Sequence, residues 1–198
     1  MPRDRRYWRL VLPQLVFFPR LVAFWRSSEA APNDVDCVVN ANVLLYLGES
    51  AETDPAIDYL IDTVRRHREG ECDKWHRRPL SVYYMLSRAY FNGARRLGVV
   101  RDLVIERIRA LGRRAGGFGN ELESALGACA LLNVDAAPSE LDRSVEYLLD
   151  TQDRSGAWPK TPLYWGGPKK MYGWGSEELT TALCVEALAR YRGAIDHS

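Results

Sequence analysis

The stretch that decides the fold is Gln152-Asp153-Arg154-Ser155-Gly156-Ala157-Trp158, which reads Q-x-x-x-G-x-W. Two looser combinations of glycine and an aromatic residue occur elsewhere, at Gly116-Gly117-Phe118-Gly119 and Gly173-Trp174-Gly175. Glycine permits a tight turn, and an aromatic ring fills the gap between neighbouring helices. These turns therefore predict helical units that are joined and packed in a repeated way.

Four apolar segments recur along the chain in a common register, at steps of roughly 43, 41 and 57 residues. They are Asn40–Leu47, Tyr83–Tyr90, Ser124–Leu131 and Thr181–Leu188. The last step is longer because the aromatic segment Pro159–Gly173 intervenes. Repeats of this length are typical of helical solenoids and closed rings, since one helix pair cannot bury its own apolar face.

Amphipathic segments lie between the apolar ones, at Asp54–Arg68, Val99–Arg113 and Ser139–Thr151. In the first of them, Ile57, Leu60 and Val64 follow the period of a helix with one buried face. No stretch alternates apolar and polar residues cleanly enough to predict a sheet. The sequence therefore predicts an all-α chain with an inner layer of apolar helices and an outer layer of amphipathic ones. An open solenoid is the alternative, although the glycine and aromatic turns favour a ring.

Within this register, the Q-x-x-x-G-x-W stretch resembles the QW motif of terpene cyclases, whose superfamily also includes protein prenyltransferases. The resemblance implies an α/α toroid, a double layer of inner and outer helices. That family closes its toroid with more helices than the roughly eight that this chain encodes, so we expect an incomplete ring. The whole chain, residues 1–198, is predicted to be one domain, with the repeats in residues 34–193.

The composition argues against several classes of function. The chain has 27 Lys and Arg against 26 Asp and Glu, and a net charge of +1 does not indicate nucleic-acid binding. It has no phosphate-binding loop of the G-x-x-x-x-G-K-[ST] type, so nucleotide hydrolysis is not expected. Its four cysteines, Cys37, Cys72, Cys129 and Cys184, show no C-x-x-C spacing, and we expect reduced thiols in a cytoplasmic protein.

Residues 1–33 form a basic and aromatic N-terminal segment. Its apolar run, Leu10–Trp25, is interrupted by two prolines, a glutamine and an arginine, so a membrane-spanning helix is not predicted. The segment also lacks the small-residue cleavage site of a signal peptide. We expect it to be an outer helix packed on the repeats or, alternatively, a surface that makes peripheral contact with a membrane.

The sharpest polar cluster is Asn33-Asp34-Val35-Asp36-Cys37, directly before the first apolar segment. It resembles the D-x-D-D motif of class II terpene cyclases, with Cys37 in place of the last aspartate. The resemblance implies that Asp36 protonates an alkene or epoxide and that Asp34 is its neighbouring carboxylate. Two carboxyl groups this close in a dry cavity do not both ionise readily, so one can keep its proton at neutral pH.

Other interpretations of this cluster stay open at the level of sequence. Asp34 and Asp36 can also cap the N-terminus of a helix, where carboxylates are favourable. Asp36 and Cys37 resemble two of the zinc ligands of the prenyltransferase branch. No histidine has the expected context for a third ligand, so no metal is predicted. His67 or His76 can approach the acid only through the fold.

Aromatic side chains are predicted to bind the substrate, because their π faces stabilise cationic intermediates in an apolar cavity. They are Trp75, Tyr83, Tyr84, Trp158, Trp165, Tyr172 and Trp174. Asn40 and Glu177 complete the predicted set. Four acidic residues, Glu121, Glu123, Glu177 and Glu178, precede later apolar segments as helix caps or as further acids. The segment Pro159–Gly173 is predicted either to cover the mouth of a cavity or to pack its rings against the repeats.

The sequence thus leads to two hypotheses of different classes. The first is a class II-type terpene cyclase that cyclises a linear isoprenoid without a metal or organic cofactor. The second is a non-catalytic binding or assembly module, or one half of a two-chain cyclase. The expected ligand of the cyclase is an isoprenoid or another lipid-like molecule, and a second copy or a companion chain is expected to complete its ring. The binding module is expected to present the inner face of the half-ring to a partner chain, a peptide or a lipid.

Overall fold

The structure is a computed structural model that describes residues 19–20, 22–23, 26, 35–76, 78–112, 117–167 and 170–196. Its helices are α1 (Cys37–Leu47), α2 (Asp54–Arg65), α3 (Pro79–Phe91), α4 (Arg101–Leu111), α5 (Glu121–Asn133), α6 (Asp142–Thr151) and α7 (Glu177–Asp196). Two 3-10 helices, Arg95–Val100 and Pro138–Glu140, precede α4 and α6, and residues 19–20, 22–23 and 26 are also helical. The prediction of an all-α fold is confirmed. The rest of the predicted N-terminal outer helix lies outside the described residues.

The helices alternate along the chain between two sets that differ in their packing. The odd-numbered helices, α1, α3, α5 and α7, contain the four apolar segments and pack side by side in chain order. The even-numbered helices lie within the amphipathic segments and pack against the odd-numbered ones. The two sets correspond to the predicted inner and outer helices, whereas their closure into a toroid stays a prediction.

The core is centred on α5, in which all of the 13 residues except Glu121 and Leu132 are buried. Its run of small residues lets α3 and α7 approach on either side. The outer helices bury one face only, and in α2 this face contains Ile57, Leu60 and Val64, as their spacing predicted. Each such aliphatic side chain contributes about 1.5–3 kcal/mol when it is fully buried.

The Q-x-x-x-G-x-W stretch forms the turn after α6 and inserts its tryptophan into the core. Gln152 Nε2 donates to the carbonyl of Gly156 at 2.9 Å, and Gly156 adopts a φ of 85°, which favours glycine. The Trp158 ring is fully buried, and its Nε1 donates to the carbonyl of Leu148 in α6 at 2.8 Å. The Trp158 N–H donates to Thr181 Oγ1 in α7 at 3.1 Å. The stretch therefore joins α6 to α7, the packing role expected for such a turn.

The segment before α7 contains a two-stranded antiparallel hairpin, which the sequence did not predict. Strand β1 (Tyr164–Gly166) pairs with β2 (Tyr172–Trp174), with Trp165 opposite Gly173. The prediction that no sheet forms is wrong here, because strands of three residues are too short to show a periodic pattern. The hairpin is anchored to the body of the protein by the Trp165 N–H, which donates to the carbonyl of Trp75 at 2.7 Å.

A disulfide joins Cys37 at the start of α1 to Cys72 in the loop before α3, with their Cα atoms 5.5 Å apart. The prediction that the cysteines are reduced is therefore wrong for this pair. Cys129 and Cys184 are free and buried in α5 and α7, where each packs as a small apolar side chain. Across the described ranges, none of the helices combines the length and the apolar character that crossing a membrane requires.

Replacement of Gly127 by alanine is expected to destabilise the protein by about 1–3 kcal/mol. A Cβ atom at this position would lie 2.5 Å from Cε2 of the Phe118 ring, which is buried against α5. Gly193 in α7 is the matched control, because a Cβ atom there meets nothing within 4 Å. Gly193→Ala should stabilise the helix by about 0.5–1 kcal/mol. Urea unfolding measures both values, and equal effects of the two substitutions would contradict this packing of Phe118.

Candidate functional site

The candidate site forms where the loop before α1 meets the loop before α3. The Cys37 N–H donates to the carbonyl of Cys72 at 2.9 Å, and the disulfide links the same two residues. Asp36 precedes Cys37 and Asp73 follows Cys72, so this junction brings two carboxyl groups together from positions far apart in sequence. The two groups lie close enough for Asp73 to raise the pKa of Asp36.

Asp36 is half-buried and is the N-cap of α1. Its Oδ1 accepts a hydrogen bond from the N–H of Val39 at 2.9 Å, as the capping interpretation predicted. Asn40, one of the predicted binding residues, donates from Nδ2 to the main-chain carbonyl of Asp36 at 2.8 Å. The first turn of α1 therefore holds Asp36 in place from both its side chain and its backbone.

Asp73 is buried and accepts several hydrogen bonds from the residues that follow it. Its Oδ1 accepts from the N–H of Trp75 at 2.7 Å and from the N–H of His76 at 3.2 Å. Its Oδ2 accepts a hydrogen bond from Nδ1 of His76 at 2.5 Å. Asp73 therefore connects Asp36 to His76, and we refer to these three residues as the acid cluster.

The environment moves the pKa values of the two carboxyl groups in opposite directions. Burial raises the pKa of Asp36, and the neighbouring charge of Asp73 raises it further, against the lowering effect of the Val39 N–H. Burial also raises the pKa of Asp73, but the hydrogen bonds from His76 and Trp75 outweigh it and leave that pKa below its usual value. One acid thus keeps its proton more readily while the other stays ionised, a division of roles found in acid–base catalysis.

These shifts predict how stability depends on pH. Because the pKa of Asp36 is raised in the folded state, ionising this group costs more in the folded than in the unfolded protein. Asp36→Asn should therefore gain stability relative to the wild type as the pH rises from below 3.8, the ordinary pKa of an aspartate, to neutrality. Asp73→Asn should lose stability over the same change, because the pKa of Asp73 is lowered. Urea unfolding at about pH 3 and pH 7 measures the free energy of unfolding of each variant relative to the wild type. A change of the same sign in both variants between these two pH values would refute these shifts.

Tyr59 of α2 completes the surroundings of the acid cluster. Its hydroxyl donates to the carbonyl of Val35 at 2.9 Å and lies 3.6 Å from Sγ of Cys37. Burial raises its pKa, and the charges of Asp36 and Asp73 add to that effect, so the phenol stays protonated as a donor. Tyr59 therefore fixes the segment directly before α1.

Asp73 was missed by reasoning from the sequence, and His76 was named only as a residue that can approach the acid through the fold. The resemblance to D-x-D-D placed the neighbouring carboxylate at Asp34, which lies outside the described residues. In the structure, Asp73 is the carboxylate that interacts with Asp36. One signal was present: the chain reads Asp-Cys at Asp36-Cys37 and Cys-Asp at Cys72-Asp73, the arrangement that a disulfide between two acid-bearing loops produces.

Two cavities lie near the starts of the inner helices. The first, of about 230 Å³, opens between the N-termini of α3 and α5 under the hairpin segment. Its walls include Arg78, Ser81, Asn120, Glu123 and Trp165. The Arg78 guanidinium pairs with the Glu123 carboxylate at 2.8 Å across this space. The second cavity, of about 170 Å³, lies beside the disulfide.

Two of the predicted aromatic residues lie close to these features. Trp165 lines the first cavity, and its backbone is bound to that of Trp75. The Trp75 N–H donates to Asp73, so Trp75 connects the hairpin to the acid cluster. Both tryptophan residues are half-buried. The structure thus brings Asp36, Trp75 and Trp165 into one region.

Three predicted binding residues are instead packed into the protein. Trp158 is fully buried between α6 and α7, and Tyr83 is buried in α3. Burial raises the pKa of Tyr83 above its usual range, with a further contribution from the charge of Glu69. Tyr84 is also buried, its hydroxyl lies 3.5 Å from Glu186 Oε2, and burial raises its pKa to about 12. These side chains stabilise the fold.

The remaining predicted residues lie on the surface. Tyr172 and Trp174 of β2 are 58% and 54% exposed, and the Trp174 ring stacks on that of Tyr164 with centroids 6.2 Å apart. Glu177 and Glu178 are exposed at the first turn of α7. The segment Pro159–Gly173 therefore both contributes to a cavity wall and leaves aromatic rings in contact with solvent.

A metal ion would need a group of coordinating side chains. In the part of the chain that the structure describes, no three His, Cys, Asp or Glu residues are arranged to hold one. Cys37 is bonded to Cys72 and does not offer a thiolate.

No protein-family model matches the sequence. A search of curated proteins also finds no significant match. The function is therefore inferred from the acid cluster and its surroundings.

Proposed function

We propose that this chain is a class II-type isoprenoid cyclase in which Asp36 donates the proton that starts the reaction. The observation that carries this proposal is the acid cluster, in which Asp36 has a raised pKa beside an ionised Asp73 that His76 holds by a hydrogen bond. A carboxyl group that keeps its proton to a higher pH than usual has the property that a carboxylic general acid needs. The resemblance to the D-x-D-D and QW motifs supports an isoprenoid as the substrate class.

In the proposed reaction, the Asp36 carboxyl proton adds to a carbon–carbon double bond or an epoxide of the substrate. The resulting carbocation is attacked by a further double bond of the same molecule, and the last cation loses a proton. Asp36 is then reprotonated from solvent. Asp73 stays ionised throughout, because the hydrogen bonds from His76 and Trp75 stabilise its charge. Trp75 and Trp165 are the aromatic rings in this region that can stabilise the cation.

The sizes of the two cavities support the participation of a second chain. At about 230 and 170 Å³, they are smaller than the roughly 300–1,000 Å³ of typical ligand pockets. Helix α1, which Asp36 caps, contains no charged residue, and its Val39, Tyr46 and Leu47 are more than half exposed. We propose that a second copy of this chain or a companion chain covers this face and completes the cavity.

The test is incubation of the purified protein with linear isoprenoids, from geranylgeranyl diphosphate to squalene, followed by mass spectrometry of the extracts. The proposal predicts a cyclised product that is absent with Asp36→Asn. Measurement of the protein's mass in solution tests whether a second copy completes the cavity, and a dimer is expected. If the protein binds an isoprenoid but forms no product with any member of the panel, it is a binding module, which the exposed face of α1 also favours.

A further inference from the structure

The disulfide joins the two chain segments that carry the acid cluster. Each half-cystine is the direct neighbour of one acid, Cys37 of Asp36 and Cys72 of Asp73. A main-chain hydrogen bond, from the Cys37 N–H to the Cys72 carbonyl, accompanies the covalent link. The bond therefore holds together the two loops whose contact creates the pair of carboxyl groups.

The two half-cystine residues differ in their access to solvent. Cys37 is fully buried, whereas Cys72 is 9% exposed and lines the cavity of about 170 Å³. The rest of the wall consists of Val35, Tyr59, Thr63, Arg68 and Glu71. A small thiol that enters this cavity thus meets Cys72, and not Cys37.

The side chains around Cys37 suit it to be the leaving group of a thiol–disulfide exchange. The Thr63 hydroxyl lies 3.8 Å from its Sγ and can donate to it, whereas the Tyr59 hydroxyl, 3.6 Å away, already donates to the carbonyl of Val35. Hydrogen bonds donated to a sulfur anion stabilise it, and a better-stabilised thiolate leaves faster.

We propose that the Cys37–Cys72 disulfide is a thiol-reducible clamp on the acid cluster, opened by a low-molecular-weight thiol that attacks Sγ of Cys72 through this cavity. The incoming thiolate bonds to Cys72 Sγ, the disulfide bond breaks, and Cys37 leaves as a thiolate that takes up a proton. A second thiolate then attacks the bound thiol's sulfur and releases Cys72. Two electrons pass to the protein, and two small thiols are oxidised to their disulfide.

The other two cysteines do not take part in this exchange. Cys129 and Cys184 are fully buried, and burial raises the pKa of each thiol to about 12. A thiol of such a pKa forms almost no thiolate near neutral pH, so it does not compete for the disulfide. Reduction of the folded protein should therefore expose two thiols and leave two protected.

Opening the clamp removes the covalent constraint between the loops of Asp36 and Asp73. Their carboxyl groups then separate more easily, and the effect of Asp73 on the proton of Asp36 weakens. That part of the inference, a loss of cyclisation on reduction, rests on the proposed function. The reduction itself does not, and it is measured without any activity.

The first experiment treats the native wild-type protein with glutathione, alkylates it with iodoacetamide and determines its mass. We expect two alkyl groups, on the tryptic peptide Glu69–Lys74 and on the peptide that contains Cys37, with Cys129 and Cys184 unmodified. The same treatment in about 6–8 M guanidinium chloride, where the unfolded protein exposes all four cysteines, serves as the reference. A disulfide that is reduced only in the denaturant would overturn the proposal.

The second experiment locates the point of attack with single-cysteine variants of the pair. In Cys37→Ala the free Cys72 should react with Ellman's reagent about ten times faster, or more, than the free Cys37 of Cys72→Ala. Thr63→Val should slow reduction of the wild-type disulfide several-fold, because it removes a hydroxyl next to the leaving sulfur. Thr151→Val is the matched control, since Thr151 donates to the Tyr147 carbonyl in α6 instead. Faster reaction of Cys37, or equal effects of the two threonine substitutions, would contradict attack at Cys72.

Discussion

Asp36→Asn is expected to lower the rate of cyclisation about 10³-fold, within the range that general acids contribute. The substitution removes the transferable proton and leaves the geometry of the site, because asparagine is as good an N-cap as aspartate. Its side-chain oxygen can accept the hydrogen bond that Oδ1 now accepts from the Val39 N–H. At neutral pH the variant should be at least as stable as the wild type, since a carboxyl group with a raised pKa is removed.

Asp36→Ala separates the catalytic role from the structural one. It removes the proton and also the cap of α1, which costs about 1 kcal/mol of stability. Both variants should lack product in the isoprenoid assay, but only the alanine variant should unfold at a lower urea concentration. If Asp36→Asn keeps more than about a tenth of the wild-type rate, Asp36 is a helix cap and not the proton donor.

Trp158→Ala is expected to have the largest effect on stability, a loss of about 3–5 kcal/mol. The indole is fully buried between α6 and α7. Its removal leaves a large cavity and deprives the Leu148 carbonyl of its Nε1 donor. Because globular domains have only about 5–15 kcal/mol of net stability, this single change should remove a large part of it.

Two further variants test that explanation by urea unfolding. Trp158→Phe keeps most of the apolar volume and should lower the free energy of unfolding by less than Trp158→Ala. Most of that smaller loss should come from the missing hydrogen bond. Trp174→Ala changes the same residue type on β2, where the ring is 54% exposed, and should cost less than about 1 kcal/mol. Similar losses for Trp158→Ala and Trp174→Ala would contradict the packing role of the Q-x-x-x-G-x-W turn.

The helices could be predicted because their signals are local and repeated. The spacing of Ile57, Leu60 and Val64 identifies the buried face of α2, and these residues are buried in the structure. The apolar segments lie inside α1, α3, α5 and α7, since small apolar residues at a constant register need neighbouring helices to cover them. The same logic did not reveal the hairpin, which depends on a backbone contact between Trp165 and Trp75.

The acid cluster was only half predictable. Asp36 was found because it stands directly before an apolar helix within a D-V-D-C segment. Its partner Asp73 is 37 positions further along the chain, and no periodic pattern connects the two. Their contact is created by the Cys37–Cys72 bond, whose pairing cannot be deduced from the spacing of four cysteines. Trp158 shows the reverse case, because a motif aromatic that looked suited to a cation is part of the core.

The most direct test of the central claim, that Asp36 starts the reaction by donating a proton, is to run the isoprenoid assay in D₂O. The Asp36 carboxyl proton exchanges with solvent, so with an isoprenoid that is protonated at a carbon–carbon double bond the first step would add deuterium to a substrate carbon. We predict a cyclised product that carries one solvent deuterium and is absent with Asp36→Asn. A cyclised product without deuterium, or with the same yield from Asp36→Asn, would contradict the account.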